Sequence, residues 1–71
     1  MSEKFSVFRL DDGGETHEVA ARDAVDAREL LVEVMQDAGL DDYSYHDIET
    51  CEVVPGKTRS RRGYLGGTCW S

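Results

Sequence analysis

The apolar residues change their period along the chain, and each period predicts an element. In residues 4–10, Phe5, Val7, Phe8 and Leu10 are strand formers. Phe5/Val7 and Phe8/Leu10 fall on opposite parities, so either both faces of this strand are covered or a bulge shifts its phase. Asp11-Asp12-Gly13-Gly14 follows. Glycines after aspartates supply the positive φ angles of a tight hairpin. Residues 15–21 then alternate, with His17, Val19 and Ala21 on one parity and Thr16, Glu18 and Ala20 on the other. That is the pattern of a half-buried return strand.

From residue 23 the period is helical. Asp23 is a good N-cap, and Asp26 stands at the third helical position as a weak form of the capping box. Both carboxylates suit the positive end of the helix dipole. Gly39 closes the helix at C′. Ala24, Ala27, Leu31, Val34, Met35 and Ala38 follow core-face spacing. Leu30 widens that face on one side, and Val25 and Val32 widen it on the other, beyond Arg28. Asp26, Glu29, Glu33 and Asp37 share the remaining arc. The reading is a helix over residues 23–38 with a broad apolar side and one acidic stripe.

Residues 40–46 read as a loop and residues 47–54 as a third strand, with Ile48, Cys51, Val53 and Val54 as its apolar content. Pro55-Gly56 is expected to end it. Residues 57–62 contain nothing apolar and are expected to be an exposed, mobile loop, since ordering costs about 1–2 kcal/mol per residue in backbone entropy. Tyr64-Leu65 and Cys69-Trp70, around Gly66-Gly67, form a short last strand or a docking tail. The fold class is therefore α+β: a small antiparallel sheet, ββαβ with a possible fourth short strand, and one helix packed on one face. Residues 1–54 read as the acidic ββαβ domain and residues 55–71 as a basic, glycine-rich loop and tail.

Size and charge sharpen this picture. Seventy-one residues allow one domain with a small core, so a large substrate cavity is not expected. The formal net charge is −7, and all 15 acids lie between Glu3 and Glu52. Residues 1–54 hold those acids against Lys4, Arg9, Arg22 and Arg28, a formal −11, whereas residues 55–71 hold Lys57, Arg59, Arg61 and Arg62 with no acid, +4. Such asymmetry indicates an acidic body with a basic appendage, which either folds back on the body or meets a partner.

The chemistry-bearing residues give little sign of catalysis. His17, His46, Cys51 and Cys69 are zinc-ligand types, but they lack a C-x-x-C or a helical His pair, so no metal and no cofactor are expected. Cys51 lies between Glu49 and Glu52, which disfavour a thiolate, and Cys69 is close to the C-terminus, so neither suits a nucleophile. Carboxylate pairs are inevitable among so many acids. Neither Gly13-Gly14 nor Gly66-Gly67 continues into a phosphate-cradling pattern. The chain is expected not to be an enzyme.

Two surfaces remain. Lys57, Arg59, Arg61, Arg62 and Tyr64 could grip a nucleic-acid backbone and stack on a base, but the acidic body repels phosphate over about a Debye length. Asp26, Glu29, Glu33 and Asp37 form a row with steps of about 5 Å, from the 1.5 Å helical rise. That spacing is comparable to phosphates on a nucleic-acid strand. Joined by Asp41 and Asp42, with Tyr43 and Tyr45 as rim or anchor aromatics, this row suits a basic partner surface. The leading reading is a binding protein that occupies the basic, nucleic-acid-binding site of another protein. The alternatives are a nucleic-acid-binding accessory or regulator using the arginine segment, and a small oligomeric structural module built on the wide apolar arc. Monomer and homodimer both stay open.

At the strand-to-helix junction, Val19, Ala21, Asp23, Asp26 and Ala27 spell V-x-A-x-D-x-x-D-A. This resembles the junction in small ββαβ domains of phages and mobile elements, including antitoxin domains of the HicB type, over about residues 5–54. The downstream proline-glycine-cysteine strand of those domains is not present. In size, charge and element order the chain also looks like the anti-CRISPR proteins, short acidic phage inhibitors of bacterial defence. That resemblance implies inhibition by acidic surfaces placed in nucleic-acid grooves and a location in the cytoplasm of a bacterial host. The absence of an apolar segment after Met1-Ser2-Glu3-Lys4, and of any run long enough to span a membrane, agrees with that location.

Overall fold

A computed structural model of the chain describes residues 4–69. Strands β1 (Phe5–Asp11), β2 (Glu15–Ala21), β3 (Thr50–Arg59) and β4 (Gly63–Cys69) form one antiparallel sheet in the order β3-β1-β2-β4. Helix α1 (Ala24–Asp37) packs on one face, and a short 3-10 helix, Tyr45–Asp47, precedes β3. The expected α+β architecture is present, with the fourth strand formed.

The hairpin closes as its residues require. Gly13 has φ 94°. Asp11 Oδ1 accepts the Gly13 amide at 2.8 Å, and Asp12 Oδ1 accepts the Glu15 amide at 2.9 Å. This pairing puts Phe8 opposite Val19 and Leu10 opposite His17 on the helix side, and Val7 opposite Ala20 on the other. Val7, Phe8 and Leu10 are all buried. The two parities of β1 thus reflect a central strand covered on both sides.

Helix α1 begins and ends by local chemistry. Asp23 Oδ1 caps the Asp26 amide at 2.7 Å, and Asp26 Oδ2 reaches back to the Arg22 amide at 3.1 Å. At the other end Gly39 takes φ 109°, the Gly39 amide bonds Gln36 O, and the Leu40 amide bonds Met35 O, each at 3.0 Å. That is a Schellman motif. Ala27, Leu30, Leu31 and Met35 meet Phe8, Leu10, Val19 and Ala21 in the core, with Val34, Tyr43, Ile48 and Cys51 at its margin. Ala24, Ala38 and Val25 are exposed, so the apolar arc that the chain buries is narrower than the spacing predicts. Val32 is buried and Val25 is not.

The third strand departs most from expectation. Asp47 belongs to the 3-10 helix, and β3 starts at Thr50 and continues past Pro55-Gly56 to Arg59. Phe8 pairs with Val53 and Ser6 with Thr58, so the single residue Val7 stands opposite residues 54–57. Pro55 is tolerated because β3 is an edge strand and the proline lies in the bulge, where no ladder amide is needed. Gly56, at φ 78°, supplies the left-handed turn of that bulge. The proline-glycine pair bends the strand and does not terminate it.

The basic segment is accordingly corrected from a free loop to a structured one. Lys57 and Arg59 lie in β3, with Arg59 opposite Phe5. Residues 60–62 then carry the chain from one edge of the sheet to the other, where β4 pairs with β2 from Ala20↔Gly63 to Glu15↔Cys69. The boundary expected at residues 54/55 falls inside β3. Trp70 lies outside the described residues.

Candidate functional site

The hairpin turn and the C-terminal end of α1 frame a cleft of about 650 Å³. Asp12 and Glu15 line it from the hairpin, and Asp41, Asp42 and Asp47 line it from the segment after the helix. Met35, Leu40 and Tyr43 supply its apolar wall. The Schellman turn positions this wall, because the Leu40 amide is tied to Met35 O. The Gln36 side-chain amide holds Tyr43 O at 2.8 Å and fixes the descending segment against the helix.

One flank of the cleft is a hydrogen-bonded chain around His17, which is 2% exposed. His17 Nε2 lies 3.2 Å from Asp12 Oδ2 and 3.5 Å from Glu15 Oε2. Its Nδ1 lies 3.0 Å from the Tyr64 hydroxyl. The Tyr43 hydroxyl donates to Asp12 Oδ2 at 3.2 Å. Burial is the largest single influence on Asp12 and pushes its pKa up, but the Glu15 and Gly14 amides and His17 together outweigh it and hold the carboxyl below its ordinary value. Burial, then the neighbouring carboxylates Asp12, Asp47 and Glu15, raise the Tyr43 phenol. Tyr64 is raised by burial and by Glu15 and Asp12. Both tyrosines therefore stay protonated near neutrality and available as donors. Gly67, opposite His17 in the ladder, makes room: a Cβ there would stand 2.7 Å from the Tyr64 hydroxyl and 2.8 Å from His17 Nδ1.

The structure separates the members of the expected acidic stripe. Asp26 is taken by Arg62, whose Nε donates to Oδ2 at 2.9 Å and whose second terminal nitrogen donates to Oδ1 at 2.7 Å. Glu29, Glu33 and Asp37 stay exposed on α1, and Asp41 and Asp42 stay exposed beyond it. Among the described residues none of these five pairs with a basic side chain, the only ion pairs being Arg9–Glu18, His17 with Asp12 and Glu15, and Arg62–Asp26. Tyr45 is half exposed and suits a rim, whereas Tyr43 is an inner wall.

The arginine segment is divided too. Lys57, Arg59 and Arg61 are exposed, but Arg62 and the Tyr64 hydroxyl are committed to internal contacts. Burial pushes the Cys51 thiol up, against a smaller opposing effect of Arg28, so a thiolate nucleophile is disfavoured there. The side chain of Cys69 lies outside the described residues. His46 is exposed in the 3-10 helix.

The sequence motifs do not group Asp12, Glu15 and His17, which the fold brings together. They are the one group of three or more possible metal ligands among the described residues, with donor atoms within 4.8 Å of one another. The sequence does hold a signal for it: Glu15 and His17 share a strand parity, and Asp12 lies across the turn from both.

The Arg62–Asp26 pair gives a pH prediction. Arg62, with lesser help from the Arg22 amide, holds Asp26 at about 2, against an ordinary value of 3.8. A carboxyl depressed on folding contributes stability above its unfolded pKa and loses it as pH falls through the folded one. Solvent screening at this partly exposed pair limits that contribution to roughly 1 kcal/mol. Urea midpoints measured from pH 5 to pH 2 should fall more steeply for the wild type than for Asp26→Asn, with the difference lost between about pH 4 and about pH 2. Parallel curves would mean that Arg62 does not hold Asp26 in solution.

Comparison with known protein families, with curated proteins and with solved structures finds no match for the chain. The described residues contain no helix long and apolar enough to cross a membrane.

Proposed function

We propose that the protein is a non-enzymatic binding protein whose acidic surface occupies a basic, nucleic-acid-binding site on a partner protein, as anti-CRISPR inhibitors do. The observation that carries this reading is the charge at the C-terminal end of α1. A helix C-terminus is already negative, and basic residues there are favourable by about 0.3–1 kcal/mol each. Here the last turn has no basic residue. Asp37 stands in it, Asp41 and Asp42 follow, and Glu29 and Glu33 extend the same charge back along the helix. Acids collected where the backbone disfavours them, none of them ion-paired among the described residues, gain most from a basic partner. Opposite charge also speeds the encounter.

The test is capture on the immobilised protein from an extract of its host, followed by competition. Wild type is expected to retain a basic protein that duplex DNA or RNA displaces, with retention falling as salt rises. Glu29→Lys with Glu33→Lys should abolish retention while leaving the circular dichroism unchanged. Retention indifferent to salt and to the double reversal would overturn the electrostatic reading.

A further inference from the structure

We infer that Asp12, Glu15 and His17 form a binding site for one divalent first-row transition cation, with Zn²⁺ and Mn²⁺ as the natural probes. This goes beyond the acidic-surface reading and does not depend on it. The spacing fits first. Ligands bound at about 2.0–2.2 Å from a common ion lie about 3.0–3.5 Å apart around a tetrahedron or octahedron. His17 Nε2 stands 3.2 Å from Asp12 Oδ2 and 3.5 Å from Glu15 Oε2, so small rotations of Glu15 admit an ion between the three. The ligand set fits next. One imidazole with two carboxylates suits borderline cations, whereas calcium and magnesium prefer all-oxygen shells.

The surroundings are those of a built site. His17 is 2% exposed, and its second nitrogen lies 3.0 Å from the Tyr64 hydroxyl, whose oxygen can accept the Nδ1 proton in the place where ligating histidines use a carboxylate, carbonyl or water. Asp12 Oδ2 is held by the Tyr43 hydroxyl, and Oδ1 by the Glu15 amide. Gly67 leaves the space in which the Tyr64–His17 contact sits. Glu15 is half exposed and able to move, and the cleft beside it leaves coordination positions for water. On binding, the ion takes the Nε2 lone pair. Any proton there is released to solvent, and a proton on Nδ1 is donated to the Tyr64 hydroxyl.

The test is titration of the full chain with Zn²⁺ by calorimetry, together with imidazole nitrogen shifts. One ion per chain is expected, with a large change at His17 Nε2 and little at His46. Low Mn²⁺ should broaden the resonances of residues 12–17 first. Glu15→Gln, half exposed and therefore expected to leave the fold intact, should weaken binding at least about tenfold, and Tyr64→Phe by up to about tenfold through the outer shell. Glu33→Gln should change nothing. Unmoved His17 nitrogens at saturating Zn²⁺, or equal affinity in Glu15→Gln, would overturn the site. Partner capture lost in the Glu29/Glu33 reversal with Zn²⁺ binding retained separates the failure of one proposal from that of the other.

Discussion

Leu31→Ala is expected to lower the stability of the fold by about 2–5 kcal/mol, the cost of a truncated buried leucine. Leu31 is fully buried at the middle of α1 and belongs to the cluster with Phe8, Leu10, Val19 and Ala21. The strand and helix side chains of that cluster relax only partly around a void, so the upper half of that range is expected. A chain of 71 residues has little stability in reserve. At roughly 4–8 °C per kcal/mol for a domain of this size, the melting temperature should fall by at least about 10 °C. Urea unfolding followed by far-ultraviolet circular dichroism measures it, with the midpoint lowered and the slope kept. Val25→Ala, at an exposed position on the same helix, is the control and should stay within about 0.5 kcal/mol. Equal losses in the two variants would show that α1 packs by another face.

Gly67→Ala is expected to cost about 1–3 kcal/mol, the usual range for overpacking. The added methyl would stand 2.7 Å from the Tyr64 hydroxyl and 2.8 Å from His17 Nδ1. His17 is buried and held at its other nitrogen by Asp12, so it cannot retreat. Tyr64 is a third exposed on an edge strand and can. The methyl therefore ejects the tyrosine hydroxyl and leaves His17 Nδ1 without its partner. Tyr64→Phe removes one of the two atoms that are struck and leaves the His17 contact, so Gly67→Ala should cost less, though not nothing, in that background, and the double-mutant cycle should show positive coupling. Additive losses would mean that the glycine is needed for the backbone of β4 alone. Near-neutral Gly67→Ala would mean that the Tyr64–His17 contact is not formed in solution.

The elements whose residues interact within a few positions are legible in the amino-acid sequence. Asp23 and Asp26 cap the helix three residues apart, Gly39 closes it, and Asp11 to Gly14 turn the hairpin. Alternation in β2 and the 3-4-7-8 spacing in α1 identify Val19, Ala21, Ala27, Leu31 and Met35 as core. The extent of β3 is not legible, because Pro55-Gly56 is a local stop signal, and only pairing with β1 reveals that it forms a bulge in an edge strand. The order of the basic segment is hidden for a related reason. It buries nothing apolar, but the charge of Arg62 finds Asp26 across the molecule.

What the sequence by itself determined is therefore the hairpin, the helix with its caps and central core positions, and the charge they carry, because propensity, capping and periodicity act between neighbours along the chain. The tertiary structure alone decided which charged and hydroxyl groups meet. Tyr43 reaches Asp12 over 31 positions, Arg62 reaches Asp26 over 36 and Tyr64 reaches His17 over 47. No local period encodes such meetings. They follow from the strand order β3-β1-β2-β4, which lays β4 beside β2 and carries residues 60–62 past the start of the helix. The same closure that neutralises Asp26 leaves Glu29, Glu33, Asp37, Asp41 and Asp42 without an ion-pair partner among the described residues, so the unpaired acidic surface runs from Glu29 along the helix and past its C-terminal end.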